Sequence, residues 1–270
     1  MGDWNKANRG LFVGAAGILF LLVAWELVVR VGLVPNFLLP APTQIGAALA
    51  SDATSIANHA LWTLLEAVIG LLIGVAVGFV LAILMDRFET VSMLMAPLVT
   101  LSQTVPTVAI APLLVLWFGY GLLPKVILVV ITTFFPVAVS LVSGFSSVDP
   151  DLVSLMRTMG ASQAQVFWKV KIPAAMEQFF SGLRISATYA VVSAVVAEWL
   201  GGFMGLGVYM TRVRKSFSYD KMFASIIVIS ICSILLMRGV DALEYLAMPW
   251  KRPSAHGRRH KPQASRRTDA

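Results

Sequence analysis

Two carboxylates interrupt runs that are otherwise apolar. Glu66 lies within the stretch 60–85, and Glu198 follows alanine and valine and precedes Trp199. An ionisable side chain in such surroundings needs a partner, water or a ligand, which makes both functional candidates. A third polar group gathers around Pro106: Ser102, Gln103, Thr104 and Thr107. Polar side chains and proline-freed carbonyls at membrane depth are tolerated only where protein or a water-filled cavity covers them. Gln103, Thr104, Thr107 and Glu198 are therefore candidates for lining a solute path. Two alternatives stand beside this. The hydroxyls around Pro106 can repair a helix kink, and Glu198 can pair with a cation in an outer gate.

These residue types bind rather than break bonds. The three histidines are His59, His256 and His260, two of them near the C-terminus, so no acid, base or metal cluster forms. Cys232 is the one cysteine, which excludes an intrachain disulfide or a thiolate metal site. No G-x-x-x-x-G-K-[ST] phosphate loop occurs in the chain.

The elements that must position these residues are long apolar runs. Of the 270 residues, 58% are hydrophobic and 13% charged, and the apolar excess falls in blocks near 11–30, 60–85, 91–118, 123–146, 180–203 and 222–247. Each can cross a hydrocarbon core of about 30 Å as a helix. An all-α integral membrane protein of about six spans is expected. Its domains would be an N-terminus at 1–10, a transmembrane domain at 11–250 and a basic, disordered tail at 251–270. The first run is longer than a signal-peptide core and reads as a retained span.

Lysine and arginine placement gives the orientation. With the N-terminus inside, fourteen of the 21 fall on the inner side and six on the outer, though seven of the fourteen belong to the tail. The tail reads as resting on the cytoplasmic face or on anionic lipid rather than on nucleic acid.

Gly70, Gly74 and Gly78 recur every four residues with Ala82, a smooth stripe on which another helix can pack closely. Pro97, Pro106 and Pro112 break the third run. Pro136 follows Thr132 by four in the fourth run, a spacing read as bending rather than binding. Gly201, Gly202, Gly205 and Gly207 read as a flexible turn, Arg184 as an anchor reaching the inner surface, and Thr43 as the cap of a short surface helix.

The longest polar interruption before the tail is 146–178. Asp149 can cap a helix that begins at Pro150, and Gly160 can end it. Ser162 with Gln165 forms a capping box for a second helix, and Pro173 breaks that pattern. The expectation is helix, sharp turn, helix, with Arg157, Lys169 and Lys171 on polar faces. An ordinary helical hairpin has the same signature.

This loop resembles the cytoplasmic loop of type I ABC importer permeases, which reads E-A-A, three residues, Gly, nine residues, Ile-x-Leu-Pro. Gly160, Val170, Ile172 and Pro173 take the matching positions, whereas Ser154, Leu155 and Met156 replace Glu-Ala-Ala. The resemblance implies that Arg157, Gly160, Ala161, Ser162 and Pro173 face a separate ATPase. It also implies that ATP and magnesium are bound by that partner and that this chain carries no cofactor. Further partners it implies are an extracytoplasmic binding protein and a second permease copy, in a bacterial inner membrane with both termini cytoplasmic. Pro35–Thr43, Gly119–Lys125 and Ala197–Gly201 are similar to the branch serving nitrate, sulfonates, taurine and vitamin precursors. Leu155–Ser162 and Tyr209–Arg212 are most similar to permeases assigned to the pyrimidine precursor of thiamine. A secondary transporter driven by an ion gradient is the alternative; it predicts inverted repeats, and none is visible.

Overall fold

The computed structural model describes residues 2–35 and 37–251, with side chains described from residue 13 to 250. The basic tail beyond Lys251 and the side chains of Lys6 and Arg9 lie outside that range. The described residues fold as helices: α1 (Gly2–Arg30), α2 (Pro42–Ser51), α3 (Ala53–Arg87), α4 (Glu89–Thr104), α5 (Thr107–Phe118), α6 (Leu122–Ser146), α7 (Pro150–Thr158), α8 (Gln163–Val166), α9 (Ile172–Leu200), α10 (Leu206–Lys215) and α11 (Tyr219–Ala247). Five stretches among them are long and apolar enough to cross a membrane. A sixth arises if α4 and α5, bent by 98° at their junction, form one broken span.

The centre is a bundle of α3, α6 and α9. Small residues let these helices approach. A Cβ on Gly70 would fall 2.5 Å from that of Val129, and one on Gly78 would fall 2.5 Å from the Phe134 carbonyl oxygen. A Cβ on Gly74 would collide with the Thr133 hydroxyl. The four-residue stripe of α3 therefore lies along α6, and Ala82 completes it at 0% exposure. On α9, Ala187, Ala190 and Ala194 are fully buried, and Gly182 sits against the Pro136 carbonyl. Lipid supplies little hydrophobic drive between helices, so such close backbone packing carries much of the association. Large apolar side chains such as Leu61, Leu72, Val80 and Leu235 point outward, as a hydrocarbon solvent requires.

The kinks differ from the sequence pattern. Pro97 and Pro112 lie inside continuous helices, and the span breaks only at Pro106. Pro173 does not end its helix either. It stands in the first turn of α9, where a missing N–H matters least. A π-turn at Phe167–Lys171 joins α8 to α9 through a bond from Ile172 N to Phe167 O. The expected fifth span at 180–203 thus begins at Gln163 and runs to Leu200 as one 38-residue rod. Thr43 is not a cap: Ala41 holds that position, and the Thr43 hydroxyl donates to Glu26 at 2.8 Å.

Candidate functional site

Three sites follow from this arrangement, one at each end of the bundle and one between them. At one end lies the elbow. The Asp149 carboxylate accepts from Asp151 N at 2.9 Å, and Gly160 takes φ +83°, a conformation a side chain resists. Ser162 and Gln165 cap each other reciprocally at 2.8 and 3.3 Å. The elbow is tied to the bundle at two points. Lys171 Nζ forks onto both oxygens of Asp86, at 2.7 and 2.9 Å, and the Arg87 guanidinium donates to Gln163. Phe167 packs on Phe145 with ring centroids 5.5 Å apart. Between these groups and Arg157 opens a groove of about 570 Å³. Arg157, Gly160, Ser162 and Pro173 are exposed, Ala161 is half-buried, and Leu155, Met159 and Trp168 present apolar surface to solvent. Apolar surface of this kind, with Arg157 and Lys169 beside it, is the sort that marks protein or membrane contact sites.

Between the ends, the break at Pro106 opens a cavity of about 510 Å³ bounded by α4, α5, α6 and α9. Gln103 and Thr107 line it, with Ser102. Thr104 lies at the same break but is not part of the lining; its hydroxyl donates to the Leu101 carbonyl at 2.8 Å. Thr132 and Pro136, read in the sequence only as a bend, also line the cavity. Pro136 lies inside the continuous helix α6 and lacks the N–H that would bond the Thr132 carbonyl. Sequence reasoning missed the α9 wall: Ile185, Tyr189 and Ser193. Their four-residue spacing was the available signal.

At the far end, Glu198 joins a buried polar lock instead of the cavity. It is 1% exposed; its oxygens accept from Thr63 Oγ1 at 2.8 Å and Gly207 N at 2.6 Å. Thr63 Oγ1 in turn accepts from Leu206 N at 2.8 Å, and His59 Nδ1 accepts from Gly205 N at 3.0 Å. Beside them Lys125 bridges Glu66 at 2.7 Å and the Met204 carbonyl at 3.1 Å. The turn at 201–205, read in the sequence as flexible, is held by these hydrogen bonds at Met204 and Gly205. A Cβ on Gly202 would fall 2.7 Å from Lys125 Nζ, and one on Gly205 would meet the Glu198 carboxylate, so glycine is there for close approach. His59 and Thr63, with no signal of their own in the sequence, complete the lock two turns and one turn before Glu66 on α3.

Arg184 is likewise not a free anchor. Its guanidinium meets Asp241 at 2.7 Å and also Glu244, tying α9 to α11. Outside the spans, Asp52 accepts from the Tyr209 hydroxyl at 2.8 Å and from Lys221 at 3.2 Å. The Tyr209 hydrogen bond, followed by Lys221, holds its carboxyl below the ordinary carboxylate range.

Comparison with known proteins gives a consistent result. Binding-protein-dependent transport system inner membrane components match residues 70–247. The formylaminopyrimidine transport permease protein ThiX of Halalkalibacterium halodurans is 37% identical over 235 residues, spanning 87% of this chain and 94% of its own length. The taurine transport system permease protein TauC of Escherichia coli is 31% identical over 251 residues, spanning 90% and 91%. Among solved structures, an amino acid ABC transporter chain superposes with a TM-score of 0.59 at 19% identity, over 76% of this chain and 97% of that one. A chain of the MetNI methionine ABC transporter gives 0.58 at 16% identity, over 72% and 94%. The last two speak for the fold.

Proposed function

The chain belongs to the family of binding-protein-dependent transport inner membrane components, and on that footing we propose that the cavity at the Pro106 break is its solute path and the α7–α8 elbow its ATPase-docking surface. It is a multi-pass permease subunit of an ABC importer, a transport component rather than an enzyme. Family membership disfavours the ion-driven secondary transporter.

One observation carries the mechanism: the elbow and the cavity share a helix. The rod from Gln163 to Leu200 begins at the docking turn, passes Tyr189 and Ser193 at the cavity wall, and ends at Glu198 in the lock. Displacing its exposed end moves all three together, and a π-turn near that end supplies compliance. The elbow end is cytoplasmic in this reading, as are both termini, and the lock is extracytoplasmic. A partner ATPase dimer supplies ATP and magnesium chemistry. A binding protein delivers solute at the lock end, and two permease copies enclose one path in a bacterial inner membrane. The curated relatives transport a formylaminopyrimidine and taurine, which supports a small polar organic solute or anion here.

The test is uptake in proteoliposomes containing the chain, its co-encoded ATPase and its binding protein. Solute accumulation that needs internal ATP and survives ionophores supports the importer. Accumulation that collapses with the ion gradient and ignores ATP contradicts it.

A further inference from the structure

The polar lock contains an acid pair that the transport reading does not use. We propose that the lock is a proton-binding site: Glu66 and Glu198 share one proton, and that proton seats the turn at 201–207 on α3. The site lies wholly within one chain, so it depends neither on the solute path nor on a second copy.

Glu66 Oε1 accepts from Lys125, but Oε2 is buried and meets no donor among the described residues. The group it faces is the carboxyl of Glu198, within hydrogen-bonding reach. Two ionised carboxylates so placed repel, and Glu66 Oε2 keeps no donor. One proton between them supplies the donor and removes the repulsion. The charge balance leads to the same place. Among the described residues, Lys125 is the one cation bonded to the pair, so two carboxylates leave a negative charge uncompensated in a buried site. A trapped water could donate to Oε2, but it would leave that excess charge in place.

The neighbouring elements do not supply the missing charge. His59 on α3 accepts from the Gly205 amide at Nδ1, so that nitrogen carries no proton. Its ring rests against Tyr209 of α10, whose hydroxyl donates to Asp52 of the α2–α3 corner. Arg212 of α10 is near enough to act on His59 but is exposed, and Lys221 of α11 is held by Asp52. Gly201 to Gly205 include no ionisable side chain. The proton does have an approach: a pocket of about 300 Å³ lined by Tyr120, Trp199 and Thr211 includes Glu198 in its wall. The Glu198 carboxyl also holds the Gly207 amide, and a Cβ on Gly205 would collide with it, so this carboxyl is the seat of the turn. Losing the proton puts a second negative charge under the turn and loosens it.

Infrared difference spectra of the full chain with its co-encoded ATPase in lipid nanodiscs test this. At neutral pH the parent is expected to show a protonated-carboxyl C=O band that shifts on exchange from H2O to D2O. Glu66→Gln and Glu198→Gln each supply an amide donor in place of the proton, so each should fold and lose the band. As the pH is raised until the parent's band disappears, hydrogen exchange at 201–207 should rise relative to Glu66→Gln at the same pH. The rise is up to about tenfold per pH unit, the limit for one linked proton. A parent without the band overturns the proposal, as does a band that survives either substitution. So does exchange that tracks the variant's while the band is lost. If one variant does not assemble, the parent's band and the other variant still decide the matter.

Discussion

Lys125 Nζ lies 2.7 Å from Glu66 Oε1, with the two side chains only 4% and 2% exposed. A pair this deep is expensive to break from one side, because the surviving charge is left without water or a partner. Lys125→Met and Glu66→Leu should each destabilise by about 3–5 kcal/mol, and the double variant should recover much of that loss. Thermal unfolding of the four proteins in one detergent checks this. Equal melting temperatures for the single variants and the parent would falsify the buried pair.

Glu198 and Gln103, grouped in the sequence as path residues, should separate by phenotype. Glu198→Ala strands the Gly207 amide and leaves the Thr63 hydroxyl only its longer bond to the His59 carbonyl. An orphaned buried amide costs about 1–3 kcal/mol, so the melting temperature falls. Gln103 is exposed to the cavity, and Gln103→Leu should leave the melting temperature within a degree or so while altering transport. Both variants can be followed by fluorescence melting and by uptake.

The glycine stripe predicts an overpacking cost. Gly78→Leu would push a side chain into the Phe134 carbonyl and Val137 of α6. The expected loss is about 1–3 kcal/mol or more, with poor recovery from the membrane. Gly14→Leu, on α1 with open space around it, should be tolerated. A Gly78→Leu protein as stable as the parent would mean that α3 and α6 do not pack here.

Acid should loosen the α2–α10 corner. The folded pKa of Asp52 is lowered, so the stability from its bonds to Tyr209 and Lys221 is present above the unfolded carboxylate value of about 3.9. It is lost as pH falls through the lower folded value. Asp52→Asn should flatten the acid side of a plot of melting temperature against pH. An unchanged acid limb would rule out this contribution.

Local chemistry made the elbow legible. The Asp149 cap, the Gly160 turn and the Ser162–Gln165 box each depend on residues a few positions apart. The stripe of Gly70, Gly74 and Gly78 was legible for a related reason, since helical spacing alone puts the three on one face. Pro173 misled because proline is costly in a helix interior but not in a first turn, and the π-turn ahead of it absorbs the misfit. The buried setting of Glu198 was not legible because one of its partners lies far along the chain: Thr63 is 135 residues away, and nothing in either local sequence announces the pairing. Tyr189 and Ser193 read as ordinary span residues until the break at Pro106 places a cavity against them.

The most direct measurement is copurification of the co-encoded ATPase with the tagged chain, with and without Gly160→Pro. Gly160 sits at φ +83°, which proline cannot adopt, so the substitution reshapes the docking turn and leaves the bundle untouched. Retention of ATPase by the parent and its loss from a well-folded Gly160→Pro protein is the predicted result. A parent chain that holds no ATPase in a mild detergent, or a variant that holds it equally well, would contradict docking at the elbow.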